Sequence, residues 1–486
     1  MRILFINSAT YYAKHTSVLP LGILSIATYL QNHGHSVKIC DREIDGTGKL
    51  KTGAFIPDIV AIAAPSFEGF PDAVKISKKF VKKNIPVVWG GQAPSLVPNL
   101  VLESGVVDFV VIGEGEYTFL SLINAIADKT PFNEIAGLAF VDNDEIVINP
   151  DRPFADLADF PVIDYSLIKP EKYFVPYIGC EKMLHIYASK GCPHQCTYCY
   201  CMCLHKGVWR PRPFDHILSE IEYLIDTHGL DGVCFTDDLF GPSKKHINSI
   251  CDSIIDSGMK FAWGCNMRAD STTKEELQKM YEAGCRWILF GIESGSKVRQ
   301  NLIKKNIEID VAQRTAQYCK EIGIYTTVTF IIGFPDETEE EIRQSIQYMQ
   351  VLDADAKFPN FCGIIPKTEL AESLMKIKRW QAPQTWKEAA KFRVMDRYSD
   401  NLSNIKDKEL KIILSSFYWT NLLMKYPDRG KSSRVLFKRA FAQITDALRW
   451  GTFYSFLLIL KSAFEFIKIL FYAKMFPKIL KKYGLK

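Results

Sequence analysis

The chain has 486 residues, 47% of them hydrophobic and 24% charged, the balance of an ordinary globular protein long enough for two or three domains with their own cores. A net charge of +5 is too small to imply a nucleic-acid partner. Thirteen Cys, with no signal-like segment at the start, point to a reducing, cytoplasmic setting and exclude a disulfide scaffold.

From residue 1 to 140, short apolar runs at 3–6, 37–39, 59–63, 87–89 and 109–112 alternate with helical patterns near 21–32, 70–83 and 116–127. This alternation predicts a doubly wound, Rossmann-like parallel α/β domain, in which ligands bind where the strands end. Three Gly-bearing loops fall at such ends: Leu19-Pro20-Leu-Gly22, Gly90-Gly91-Gln-Ala-Pro-Ser95 and Gly113-Glu114-Gly-Glu116. Each by itself reads as a tight turn. Residues 141–183 are Asp/Asn-rich and then carry Pro153, Pro161, Pro170 and Pro176, the composition of a connector.

From 184 to 369 the alternation resumes. Strands are expected at 183–188, 232–236, 261–266, 287–291, 326–332 and 360–365, with helices near 214–228, 243–257, 274–283, 309–321 and 338–352. Six such units predict a partial (β/α)6 barrel with its working residues at the carboxyl ends of the strands. Beyond 370 the strand signals stop, and a helical region runs to 486.

Cys192, Cys196 and Cys199 stand in Gly191-Cys-Pro-His-Gln-Cys-Thr-Tyr-Cys-Tyr200, after the first barrel strand. Three thiolates this close suit one face of an iron–sulfur cluster and leave one iron open for a ligand. A zinc knuckle is the alternative, with His194, Cys201, Cys203 or His205 as a fourth donor. Cys201 and Cys203 read more simply as packing residues.

The Cys loop resembles the defining loop of radical S-adenosylmethionine (radical SAM) enzymes, with Tyr198 at the usual aromatic position. Later segments extend the resemblance: Trp209-Arg-Pro-Arg212, Thr236-Asp237-Asp238, Asn266-Met-Arg268, Gly291-Ile-Glu293-Ser294-Gly295 and Ile331-Ile-Gly333-Phe-Pro-Asp-Glu337-Thr338. It implies that Cys192, Cys196 and Cys199 hold a 4Fe–4S cluster whose open iron is chelated by S-adenosylmethionine. Tyr198, Asp237, Arg268, Glu293, Ser294 and Gly333 would then lie along that cofactor. Plainer roles stand beside these: Asp238 and Glu337-Thr338 as helix caps, Arg210 and Arg212 as solvated surface groups.

The first domain resembles the cobalamin-binding domain that precedes the barrel in one large radical SAM subfamily. Pro20, Gly22, His33-Gly34-His35, Gly90, Gly91, Ser95, Gly113, Glu114 and Glu116 carry that likeness. A lower-ligand motif of the Asp-x-His-x-x-Gly type is absent, and Ala93 stands where the Gly-Gly loop usually has His. A domain that only shapes the substrate pocket is therefore the alternative.

The resemblance implies one-electron cleavage of S-adenosylmethionine, fed by a donor such as flavodoxin or ferredoxin, to give a 5′-deoxyadenosyl radical. Cobalamin-dependent methylation of an unactivated carbon is the expected outcome. Oxidative cyclisation or ring contraction is the first alternative, and a non-catalytic iron–sulfur redox or sensor protein the second. Residues 425–486 hold fourteen Lys and Arg against three acids, a balance of +11, around the apolar run 453–476. Charges recurring in that run argue against a span and for an amphipathic helix on an anionic membrane surface, with a lipid or isoprenoid-like substrate. A helix packed on the barrel is the plain alternative.

Overall fold

The computed structural model describes residues 1–10, 18–48, 50–392, 401–407, 409, 410 and 413. The first sheet contains β1 (Arg2–Asn7), β2 (Ser36–Asp41), β3 (Ile59–Ala63), β4 (Val87–Gly90) and β5 (Phe109–Val111), all parallel in the order β2-β1-β3-β4-β5. Strand side chains alternate between faces. Leu4 and Ile6 of β1 therefore enter one core, with Phe70, Ala73 and Ile76 of the helix Phe70–Val81. Ile3 and Phe5 enter the opposite core, with Ile23, Ala27 and Leu30 of the helix Leu21–Asn32 and Phe119 and Leu122 of the helix Glu116–Asp128. Both faces are covered, which makes the domain doubly wound as expected.

An antiparallel hairpin, β6 (Leu138–Asp142) and β7 (Glu145–Ile148), extends this sheet beyond β5. Asn143 and Asp144 link its strands with φ of 48° and 65°, the two left-handed residues of a tight hairpin turn. The Asp/Asn-rich stretch read as the start of a connector is thus that turn. The rest of 141–183 forms three short 3-10 turns, β8 (Val175–Tyr177) and the start of β9 (Cys180–Ile186).

β9 opens the second sheet. Between it and the next long strand lies a two-residue ladder, β10 (Ser189–Lys190) against β11 (Arg210–Pro211). Then come β12 (Gly232–Phe235), β13 (Ala262–Met267), β14 (Cys285–Glu293), β15 (Tyr325–Ile332) and β16 (Ala356–Phe361). The six long strands lie side by side in chain order, all parallel, with β8 antiparallel on the outer edge of β9. The sixth strand lies four residues before its expected place at 360–365 and has Pro359 inside it. A strand at the end of a sheet tolerates the missing N–H that a central strand would not.

Ile288, Phe290 and Ile292 of β14 face the outer helices, while Trp287 faces the concave side with Met183, Tyr325 and Ala356. Its indole lies over Gly264 and meets Tyr177 of β8 edge-on at 5.0 Å between centroids. The C-terminal region enters the barrel core through Ile405, Leu410 and Ile413, all buried. The basic run 425–486 lies outside the described residues. Among those described, no helix is long and apolar enough to cross a membrane.

A methyl group added at Gly264 would run into the Trp287 ring. Gly264→Ala should therefore cost about 1–3 kcal/mol, the usual penalty for overpacking, read as a lowered urea midpoint; a midpoint equal to wild type would show that the ring is free to move.

Candidate active site

The Cys loop is held at both ends by the two carboxylates that follow β12. Asp237, almost fully buried, accepts from the Ala188 amide at 2.8 Å and from the Ser189 hydroxyl, just before the loop. Asp238 accepts from the Gly191 amide at 3.1 Å and from the Tyr200 hydroxyl at 2.8 Å, one group on each side of the three Cys. Gly191 has φ of 87°, and a Cβ there would strike the Val208 carbonyl, so the entry to the loop requires glycine. Inside the loop, the Thr197 amide donates to the Ile303 carbonyl at 3.0 Å and its carbonyl accepts from the Leu370 amide at 2.9 Å.

The three thiols are unbridged and close enough to perturb one another's ionisation. A hydrogen bond with Cys201 pulls Cys192 down to about 7, whereas burial raises Cys196 and pushes Cys199 up to about 12. Arg268 and Lys305 act on the loop as cations and, with burial the larger cause, hold His194 down at about 4. Glu293 lies beneath, with φ of 69° at a bulge in β14 and its carboxylate 3.4 Å from Lys305 Nζ. Burial raises its carboxyl, and Lys305 and Tyr198 work against that rise. The Tyr198 ring packs on Phe334 at 5.7 Å.

Not every expected residue faces this space. Arg268 is forked onto Asp270 at 2.9 and 2.7 Å and also donates to the Lys305 carbonyl. Ser294 has no exposed surface and bonds the Ser345 hydroxyl and the Ser296 amide. Asp237 sits behind the loop as its brace. Gly333 offers its backbone to Glu337, whose Oε2 accepts from the Gly333 and Phe334 amides. The other Glu337 oxygen is buried with no partner among the described residues, and burial lifts the carboxyl to about 7. Thr338 does cap the helix Glu339–Val351, in a capping box with Glu341. Asp238 caps no helix, since Ser243 heads the next one.

Arg210 and Arg212, for which a solvated surface position was the plain alternative, are both withdrawn into ion pairs. Arg212 bonds Glu220 and the Tyr187 carbonyl, and Arg210 reaches across to Glu114 of the first domain. Glu116 pairs with Lys190 at 3.2 Å and accepts from Ser25 at 2.6 Å. Pro20 and Gly22 head the helix Leu21–Asn32, and Ser95 ties two Gly loops together, donating to the Gly91 carbonyl and accepting from the Gly113 amide. Gly90 packs near the Val111 carbonyl. A cavity of about 220 Å³ lies between the domains, lined by Ser95, Gly113, Glu114, Glu116, Arg152 and Lys367.

Sequence reasoning did not find Lys190, Lys305 or Tyr200. Lys305 lay in a Lys-Lys doublet between two helices with nothing local to mark it, and the partners of the other two lie 38 or more residues away.

The donor set fits the groups the sequence implied. Three unbridged thiols, soft ligands facing two cations, suit an iron–sulfur cluster. Cys201, His205 and Asp238 also approach within 4.8 Å of one another, but Cys201 already bonds Cys192 and Asp238 already braces the loop. In the first domain, Gly22 and Gly113 face open space where a side chain would sit, and Ser66 Oγ and Glu43 Oε2 are buried without partners among the described residues. Unpaired buried oxygens at strand ends suit a ligand rich in amides, as cobalamin is.

Residues 186–349 match the model of the Radical SAM superfamily and residues 15–123 that of the B12 binding domain. An uncharacterized methyltransferase of Pyrococcus horikoshii is 30% identical over 77% of this chain and 83% of its own. The anaerobic magnesium-protoporphyrin IX monomethyl ester cyclase of Synechocystis sp. is 25% identical over 69% of each chain. The fold is shared with the radical S-adenosylmethionine methyltransferase TsrM of Kitasatospora setae, solved with cobalamin and a 4Fe–4S cluster bound: TM-score 0.67, 16% identity, covering 88% of this chain and 90% of that one. The chain belongs to the cobalamin-dependent radical SAM enzymes, in their methyltransferase family. Its cofactors are a 4Fe–4S cluster, S-adenosylmethionine and cobalamin, and it works on a small molecule with the help of an electron donor.

Burial pushes the Asp237 carboxyl from 3.8 up to about 7, so the folded state favours its uncharged form. The stability this group adds is complete below 3.8 and is lost as pH rises towards about 7. Asp237→Asn should flatten the pH dependence of the urea midpoint across that window; a slope as steep as wild type would exclude Asp237 as its source.

Proposed function

We propose that this chain methylates an unactivated carbon of a small, lipid or isoprenoid-like molecule, with Cys192, Cys196 and Cys199 as the cluster ligands. The observation that supports this best is the placement of the braced Cys loop directly against the Gly loops of the first domain. Bound there, the cluster and S-adenosylmethionine supply one-electron chemistry, and cobalamin supplies methyl-group transfer. Asp237 and Asp238 fix the loop. Tyr198 and Phe334 keep water from its inner side. Lys305 and Glu293 present a cation and a carboxylate to the carboxylate and amino groups of S-adenosylmethionine, while Arg268, forked onto Asp270, holds the Lys305 backbone in place. Glu337 holds the Gly333 turn, beside which the adenine would pack.

In the first domain, Pro20, Gly22, Gly90, Gly91, Ser95 and Gly113 form the wall for cobalamin. The lipid-like substrate rests on the basic, apolar sequence of 425–486, which would also bring the enzyme to the inner face of the membrane. Flavodoxin or ferredoxin would donate the electron, and no nucleic acid is needed. Cyclisation is the second reading, favoured by the likeness to the Synechocystis cyclase.

After anaerobic reconstitution with iron, sulfide and hydroxocobalamin, the protein should convert S-adenosylmethionine to 5′-deoxyadenosine in the presence of a reductant. Cys196→Ala should lower that yield by at least about a hundredfold, following loss of one ligand of the cluster. Mass spectrometry of the organic product separates the readings: a gain of one methyl group supports methylation, and loss of hydrogen without methyl supports cyclisation. A full cluster with no cleavage under any substrate would instead leave an iron–sulfur sensor. Flotation with anionic vesicles tests the membrane reading, which fails if the full chain stays with the soluble fraction.

A further inference from the structure

The ladder that leads into the Cys loop carries an arrangement that is unfavourable by itself. Lys190 of β10 and Arg210 of β11 are direct cross-strand partners, and like charges placed opposite each other on two strands repel. The first domain answers with two carboxylates. Glu114 takes the Arg210 guanidinium on both its oxygens, and Glu116 takes Lys190 Nζ at 3.2 Å, with Glu114 a further 0.6 Å away from it at 3.8 Å. The four side chains are between 3 and 20% exposed, so water screens them little. Arg210 is fixed further by the Ala155 carbonyl at 2.8 Å and by the Phe154 ring at 4.6 Å.

Two threads run from this group into the loops of the first domain. One passes from Glu116 through the Ser25 hydroxyl into the helix headed by Pro20 and Gly22. The other passes from Glu114 to Gly113, and through the Ser95 hydroxyl to the Gly91 carbonyl. On the other side, Lys190 is two residues before Cys192. The closed ladder thus has both of its cations neutralised by carboxylates that stand beside the Gly loops of the first domain.

We propose that Glu114, Glu116, Lys190 and Arg210 form a latch through which occupancy of the cobalamin site fixes the position of the Cys loop. These are positioning residues, and the inference rests on the cobalamin reading given above. Neutralising either carboxylate leaves the Lys190–Arg210 repulsion partly unanswered and loosens the entry to the loop.

The test is hydrogen exchange of residues 190–200 in the reconstituted full chain, with and without hydroxocobalamin, in the absence of S-adenosylmethionine and substrate. In wild type, hydroxocobalamin should slow exchange there by about tenfold. Glu114→Gln and Glu116→Gln should retain the corrinoid, seen by its absorption, while that slowing is lost. Glu103→Gln, on an exposed turn of the same domain, should behave as wild type. Arg210→Lys keeps the charge but loses the fork, and should retain only part of the wild-type slowing.

Slowing that persists in both Gln variants overturns the latch, and so does corrinoid retention without slowing in wild type. If one Gln variant fails to fold, the other carries the same test. Failure of methylation with the slowing intact would sink the proposed reaction and leave the latch standing. Failure to retain corrinoid at all would remove both.

Discussion

A carboxylate pair at the end of β12 is the constraint on which the rest of the site depends. Three Cys within eight residues can take many arrangements, and a shared cluster needs one that directs all three sulfurs to a common point. Asp237 and Asp238 select it by gripping the chain before the first Cys and after the last. Burying a carboxylate this deeply costs stability, as the raised Asp237 carboxyl records. What it yields is direction, because Ala188, Ser189 and Gly191 are each tied to one of those oxygens. The outer helices and the apolar plug around Trp287 keep β12 where the two carboxylates can do this.

The same preference for geometry over ease of folding recurs at Glu293. A non-glycine residue in the left-handed region costs about 1–3 kcal/mol, yet the bulge in β14 holds it there and turns its carboxylate towards Lys305 and Tyr198. Arg299 shows the contrasting case. It is just as buried but lies behind the site, forked onto Glu341 at 3.1 and 3.0 Å, where it joins the helix Lys297–Leu302 to the helix Glu339–Val351.

Much of the architecture was legible because its signals are periodic and local. The helices Leu21–Asn32 and Phe214–His228 and the strand Ile59–Ala63 lie where their apolar spacing placed them. The hairpin around Asn143-Asp144 was not, since two polar residues read alike as linker and as tight turn until φ is known. At the site, the Cys triad was readable because its ligands share one loop. Asp237, Ser294 and Arg268 were recognised by motif, but a motif gives the strand end and not the side to which a residue turns. The partners of Arg210 and Arg212 were out of reach for a related reason: Glu114 and Glu220 are fixed by domain packing and helix placement, which spacing does not encode.

An open barrel has a hazard that a closed one lacks. Its sheet ends in two strands whose outward amides and carbonyls could receive a strand from another molecule, the first step towards association edge to edge. Here the outermost strands each contain a proline, Pro176 in β8 and Pro359 in β16. Each removes a donor from the rim where a visiting strand would seek one. The chain can therefore leave its barrel unclosed, as a wide cofactor and substrate space requires, and still remain a poor template for copies of itself.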